Sequence, residues 1–197
     1  MKHIRLFYDE NCESPLCGQN NTLVSFCSKH TAYKHPSEIG FDSDQNPTKE
    51  MQSLLDNNLA FKLSFHSHGS SYWFLQGHGN SGSNCPFDTV SFAGVLILNE
   101  PDYSTLSLEQ RFEAAKSILE EYNQWSNGGC YAYEIYDVKT CEHCSCDEKT
   151  QIDSCYGFFS SESMFETISE NVKKDEEVVF YGPCKWLAEY HNLHKGK

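Results

Sequence analysis

Helical spacing dominates one stretch of the chain. From Ser107 onward, Leu108, Phe112, Ala115, Leu119 and Tyr122 recur together with Ile118 and Trp125, while Glu109, Arg111, Glu113, Lys116, Glu120 and Gln124 fall on the opposite side. Ser107 and Gln110 have the spacing of a capping box, in which each side chain satisfies an otherwise orphan backbone N–H. Asn127-Gly128-Gly129 offers residues that tolerate the left-handed conformation closing many helices. The pattern predicts a helix over 107–127. Beyond it the period drops to two. Tyr131, Tyr133 and Ile135 alternate with Ala132, Glu134 and Tyr136, as in a half-buried strand over 130–137, and Ile152 to Phe159 reads as its partner. The polar run between them is too long for a tight turn, so a hairpin carrying a cysteine-rich insert over 138–151 is expected.

Shorter signals fill the rest. Ile4, Leu6 and Tyr8 alternate with Arg5 and Phe7 as an opening strand, and Thr22 to Cys27 reads as a second. Residues 28–48 lack a sustained period and read as a long loop, after which Thr48 opens a short helix with Met51, Leu54 and Leu55. Strands are predicted over 60–65 and 72–75, and the most apolar run, 92–98, suits a central strand. Ser163 and Glu166 suggest a capping box for a helix reaching about Lys174. A last strand over 178–181 and a terminal helix over 185–194 complete the reading. These elements predict one α+β domain over 1–197. Its sheet is mixed and mainly antiparallel, with the long helix packed on one face and the insert in the last hairpin.

Charge narrows the function. Asp and Glu number 28 against 15 Lys and Arg, a formal net charge of -13. Phosphate backbones require clustered cations, so direct nucleic-acid binding is not expected. The acidic surface serves solubility, with DNA mimicry against a host defence as a minority alternative. No apolar stretch is long enough to span a bilayer, and the N-terminal run is too short for a signal peptide, so a cytoplasmic protein is expected. In that compartment the 10 cysteines would be thiols or metal ligands rather than disulfides.

Four stretches carry a resemblance. They are Tyr8-Asp-Glu-Asn-Cys-Glu-Ser-Pro15 with Asn21-Thr-Leu-Val24 and Cys27; Phe65-His-Ser-His-Gly69; Ser83-Asn-Cys-Pro-Phe-Asp88 before Gly94; and Glu120-Glu-Tyr-Asn123 through Gly129-Cys-Tyr-Ala-Tyr133 to Asp153-Ser-Cys-Tyr-Gly-Phe158. Their order resembles a family of uncharacterised proteins encoded by tailed bacteriophages and prophages. The resemblance implies a phage accessory product acting in the cytoplasm of the infected host, with no activity to carry over. Around Leu16 to Gln19 the chain departs from the family pattern, and the Cys141–Cys146 segment is its own.

Several constellations could carry chemistry. Cys141-Glu-His-Cys144-Ser-Cys146 on a hairpin tip could hold structural zinc through Cys141, Cys144 and Cys146, with His143 an alternative ligand and Cys155 on the returning strand the fourth. Cys12, Cys17, Cys27 and His30 form a second set with closable spacing. His66 and His68 share one face of a strand, as metal ligands do, and Cys85 with His68 and Asp88 could supply a nucleophile, a base and an orienting carboxylate. No glycine-rich turn opens a helix beside Cys85, so catalysis lacks its supporting parts. The aromatic concentration of Tyr131, Tyr133, Tyr136 and Tyr156 is core if covered and an interface if exposed. The expectation is non-catalytic binding of a host or phage protein through these tyrosines. A metal-dependent or thiol enzyme is the alternative.

Overall fold

The strands sort into two sheets rather than one. A computed structural model describes residues 1–78, 88–99, 101–172 and 176–189. The chain divides into a terminal unit, Met1–Glu13 with Gly128–Lys197, and an inserted unit, Ser14–Asn127, where the pattern of elements had suggested a single domain. The α+β class and the mainly antiparallel pairing hold in both units. Among the described residues no helix is long and apolar enough to cross a membrane.

The inserted unit contains β2 (Thr22–Ser25), α1 (Lys49–Asp56), β3 (Ala60–His68), β4 (Ser70–Leu75), β5 (Thr89–Ile97) and α2 (Leu108–Ser126). Its sheet runs β2-β5-β3-β4, all antiparallel, so the apolar run over 92–98 does lie in an interior strand. The Ser107–Gln110 capping box forms as predicted. The apolar stripe of α2, Ala115, Leu119 and Tyr122, packs on Phe61, Leu63 and Trp73 of this sheet. Hydrophobic period shows that a helix has a buried face but not which sheet will cover it. The opposite sheet face meets α1 through Phe41, Met51 and Val95. Gly94 sits where a Cβ would collide with the Val24 carbonyl and crowd the Trp73 ring, so β2 can approach β5 only at a glycine.

The edge strand β4 is closed by side chains of α2. Asn123 Nδ2 donates to the Trp73 carbonyl at 2.7 Å, and its Oδ1 accepts the Trp73 N–H at 2.8 Å. One helical turn on, Asn127 repeats the arrangement with Ser71 at 2.7 and 2.9 Å. Residues i and i+4 of a helix thus match residues i and i+2 of a strand, and two amides act as a surrogate neighbouring strand.

The terminal unit contains β1 (Lys2–Tyr8), β6 (Tyr131–Thr140), β7 (Asp147–Phe158), α3 (Ser161–Asn171) and β8 (Val178–Tyr181), with sheet order β7-β6-β1-β8. Among the described residues of this unit, only β1 and β8 pair in parallel. Here α3, not α2, covers the hairpin: Met164, Phe165 and Ile168 pack on Ile4, Leu6, Tyr133 and Ile135. The cap of α3 is Ser160, whose Oγ accepts the Ser163 N–H at 3.1 Å, three residues before the position the Ser-x-x-Glu spacing suggested. The predicted terminal helix begins over 186–189, and its remainder lies outside the described residues.

Candidate functional site

The aromatic hairpin resolves into a core half and an exposed half. Tyr133 is buried at 1% exposure, and its hydroxyl donates to Asp153 Oδ2 at 2.7 Å. Burial, with the Asp153 carboxylate next in weight, pushes this phenol far above its ordinary range. It is therefore a packing residue and not part of a contact surface. Tyr131 is half-buried against the Tyr8 ring, with centroids 5.6 Å apart.

Tyr136 and Tyr156 belong to the other face of the sheet, organised by Glu134. Glu134 Oε2 accepts from Arg5 Nη1 at 3.2 Å and from the Tyr136 hydroxyl at 2.9 Å, while Oε1 accepts from the Tyr156 hydroxyl at 3.2 Å. The Tyr156 ring meets Phe7 edge-on at 5.8 Å, and the Arg5 guanidinium lies over Phe7 at 4.7 Å. The hydrogen bond to Glu134 raises the Tyr136 pKa; burial and then the Glu134 charge raise that of Tyr156, so both phenols stay protonated donors. Tyr156 nonetheless keeps 51% of its surface in solvent. Two register shifts place bulges in β7, and Gly157, at φ 81°, takes the left-handed conformation beside Tyr156. A bulge re-aims side chains in this way.

An open cleft of about 660 Å³ begins at Tyr156 and is walled by Arg5, Phe7, Tyr8, Asp9, Glu10, Asn11 and Pro183. Arg5 is already committed to Glu134, and no described cation pairs with Asp9 or Glu10, so the cleft is acidic. Pattern reading passed over Arg5, Phe7, Asp9, Glu10 and Glu134. The available signal was the β1–β6 register, which sets Arg5 opposite Glu134, but pairing between strands 129 residues apart is not written in local period.

The cysteine-rich tip is a short loop rather than a long insert. Residues 137–140 pair with 147–150, so the ladder runs on to the loop over 141–146. Residues 147–152 are exposed throughout, which leaves no alternation to announce a strand. Cys141 N–H donates to the Cys146 carbonyl at 2.8 Å, the Ser145 N–H returns to the Cys141 carbonyl at 2.9 Å, and Ser145 adopts φ 56°. The Cys144 and His143 backbone N–H groups and the Cys144 thiol turn toward Cys141, holding its pKa below the usual thiol value. Cys146 instead directs its thiol to the Cys144 carbonyl at 3.6 Å. Cys155 stands opposite Tyr133, nine positions down a strand that rises about 3.3 Å per residue, and cannot join the tip as a ligand. Among the described residues, the expected set of Cys141, Cys144, Cys146 and Cys155 does not converge on one ion.

The expectation of thiols or metal ligands rather than disulfides fails at the base of the terminal unit. Cys12 and Cys130 are bonded as a disulfide across 118 residues of sequence, with Cα atoms 6.5 Å apart. Both flank the inserted unit, where the chain leaves the terminal unit and where it returns. The bridge joins elements that β1–β6 pairing already aligns, and spacing could not single out this pair among ten cysteines. Asp9 stands beside it. Its carboxylate and the two sulfurs lie within 4.8 Å of one another, a group of a kind that can hold a metal ion. The second predicted set does not assemble among the described residues. Cys27 is exposed, and His30 accepts the Ala32 N–H on Nδ1 at 3.0 Å and packs edge-on to Trp73.

In the inserted unit, His66 and His68 both lie in β3, which extends past the strand predicted there. His66 Nδ1 meets Thr89 Oγ1 at 3.0 Å, and His68 Nδ1 meets Asp88 Oδ2 at 3.0 Å. The predicted base and orienting carboxylate therefore meet, on a histidine whose side chain is 78% exposed. Cys85, the predicted nucleophile, lies outside the described residues. No protein-family model matches the chain, and neither a curated protein nor a solved structure is significantly similar to it.

Proposed function

We propose that this is a phage accessory protein of the infected cell's cytoplasm that acts by non-catalytic binding of another protein. The contact is the acidic cleft of the terminal unit. The observation that carries the reading is Tyr156, half in solvent yet fixed by Phe7 and Glu134 at the mouth of a cleft walled by Asp9 and Glu10. A pre-positioned exposed aromatic loses little entropy on binding and is the usual centre of an interface. The charge selects the partner. A segment presenting Lys or Arg would place its cation against the ring faces and pair with the two carboxylates.

The test is a photo-crosslinking residue at the exposed Asn11 during infection, followed by titration of the identified protein in purified form. A one-to-one complex is expected, weakened about 10-fold or more by Tyr156→Ala and by Glu10→Lys, and weakened by raised salt. A complex indifferent to both substitutions overturns the reading. Among the described residues, a thiol or metal-dependent enzyme using His66, His68 and Cys85 is supported by the His68–Asp88 pair, and His68→Ala with unchanged biological effect removes it.

A further inference from the structure

We infer that Asp9, Cys12 and Cys130 form a redox-gated site for a thiophilic divalent cation, with zinc as the ion the donors suit. In one state the two sulfurs are joined as a disulfide; in the other they and the carboxylate hold the ion. The inference does not rest on the protein-binding reading.

The geometry is preformed. Asp9 N–H donates to the Cys130 carbonyl at 2.9 Å, which fixes the end of β1 against the start of β6. The Asn11 N–H donates to Asp9 Oδ1 at 3.1 Å, and the Cys12 N–H reaches the Asp9 carbonyl at 3.4 Å, folding the chain so that Asp9 and Cys12 face the same point. The three ligand atoms lie within 4.8 Å. Tetrahedral zinc, with bonds of about 2.0–2.3 Å, wants its ligand atoms about 3.3–3.8 Å apart, a change within reach of side-chain rotation once the sulfurs part. Two thiolates and a carboxylate suit zinc better than calcium or magnesium, which prefer oxygen. Asp9 also walls the open cleft, which supplies an entry path, and the fourth position is left for water.

The interconversion balances. A dithiol reductant gives two electrons and two protons to the Cys12–Cys130 bond and leaves as its own disulfide, freeing two thiols. A zinc ion then binds both sulfurs and displaces their two protons. The same sulfurs serve both states, so cation and disulfide exclude each other. A reducing cytoplasm favours the thiol form, in which the ion takes over the link between the two crossings into and out of the inserted unit.

The full chain, reduced with a phosphine and desalted, is titrated with Zn²⁺ against a chromophoric chelator, and separately with Co²⁺ to read sulfur ligation from the thiolate charge-transfer band. One equivalent is expected for the reduced protein and none at this site for the disulfide form. Cys12→Ser and Cys130→Ser should each weaken that equivalent by about 10-fold or more and diminish the band. Cys141→Ser/Cys144→Ser should retain it. Asp9→Asn leaves both sulfurs in place and should weaken binding while keeping the band, which covers the case in which a cysteine variant fails to fold. An equivalent that survives Cys12→Ser and Cys130→Ser, or is lost only with the tip variant, overturns the inference. So does a reduced protein that keeps its native circular dichroism and binds no ion.

Discussion

Strands β4 and β7 both lie at sheet edges, and the two edges are handled in opposite ways. The outer backbone of β4 is paired with Asn123 and Asn127, so that edge is finished within the inserted unit. Among the described residues β7 pairs only with β6; Asp147, Glu148 and Lys149 guard its outer end, and two bulges interrupt it closer to the root. Charges and bulges deter accidental strand pairing while leaving the side chains in water. The closed edge is a structural solution. The guarded edge keeps its surface available, and the bulge beside Gly157 accompanies Tyr156, an aromatic that is both fixed and exposed.

The largest effect that would test this contrast is at the closed edge. Asn123→Ala with Asn127→Ala removes the four side-chain hydrogen bonds to β4 and leaves the backbone of buried Trp73 unpaired. At about 0.5–1.5 kcal/mol per bond, the double variant should lose about 3 kcal/mol, read as a lower urea midpoint with the slope unchanged. A loss below about 0.5 kcal/mol would mean that water replaces the amides and that the edge is not closed in any energetic sense.

Next in size is the buried root of the open-edged hairpin. Tyr133→Phe removes the donor at 2.7 Å from Asp153, while the Asn171 amide at 2.9 Å remains. A hydrogen bond to a charged acceptor is worth about 1.5–3 kcal/mol, and the surviving donor places the expected cost near the lower end, about 1.5 kcal/mol. Tyr156→Ala, by contrast, should change stability by about 0.5 kcal/mol or less, because half the ring is already hydrated. Its effect belongs to partner binding. Equal destabilisation by the two substitutions would erase the distinction between root and exposed face.

What could be read beforehand follows the same division. Helix 107–127, its capping box and strand 130–137 were legible because burial on one side imprints a period on the residues. The strand segment over 147–151 was not, because its residues are exposed on both faces and the ladder is held by backbone bonds that any side chain permits. The site suffered similarly. Cys141 and Cys144 were visible as a motif, and His68 with Asp88 as a plausible pair. The Arg5–Glu134 contact and the Cys12–Cys130 bond depend on β1 and β6 meeting across the whole inserted unit. Assigning α2 to the hairpin failed for the same reason: nearness in sequence suggested a partner that packing placed elsewhere.

The smallest energetic effect, and the sharpest chemical one, is at the far end of the open-edged hairpin. Cys141→Ser should leave stability within about 0.5 kcal/mol, since the loop over 141–146 buries no apolar side chain. Reactivity should respond instead. Backbone N–H groups from Cys144 and His143 favour the Cys141 thiolate and hold its pKa down, while burial favours the neutral thiol of Cys184 and pushes its pKa up. At any pH below the ordinary thiol value, the ionised fraction is therefore larger at Cys141 than at a free cysteine, and smaller at Cys184. Mass-resolved alkylation of the native protein should label Cys141 first and Cys184 last, with the gap narrowing as pH rises past the Cys141 pKa. Cys144→Ala keeps both backbone donors and should slow Cys141 only modestly. Were Cys144→Ala to slow labelling of Cys141 as far as that of an unstructured cysteine, the neighbouring thiol rather than the loop backbone would hold the anion, and the tip would act as a dithiol instead of a backbone cradle for one sulfur.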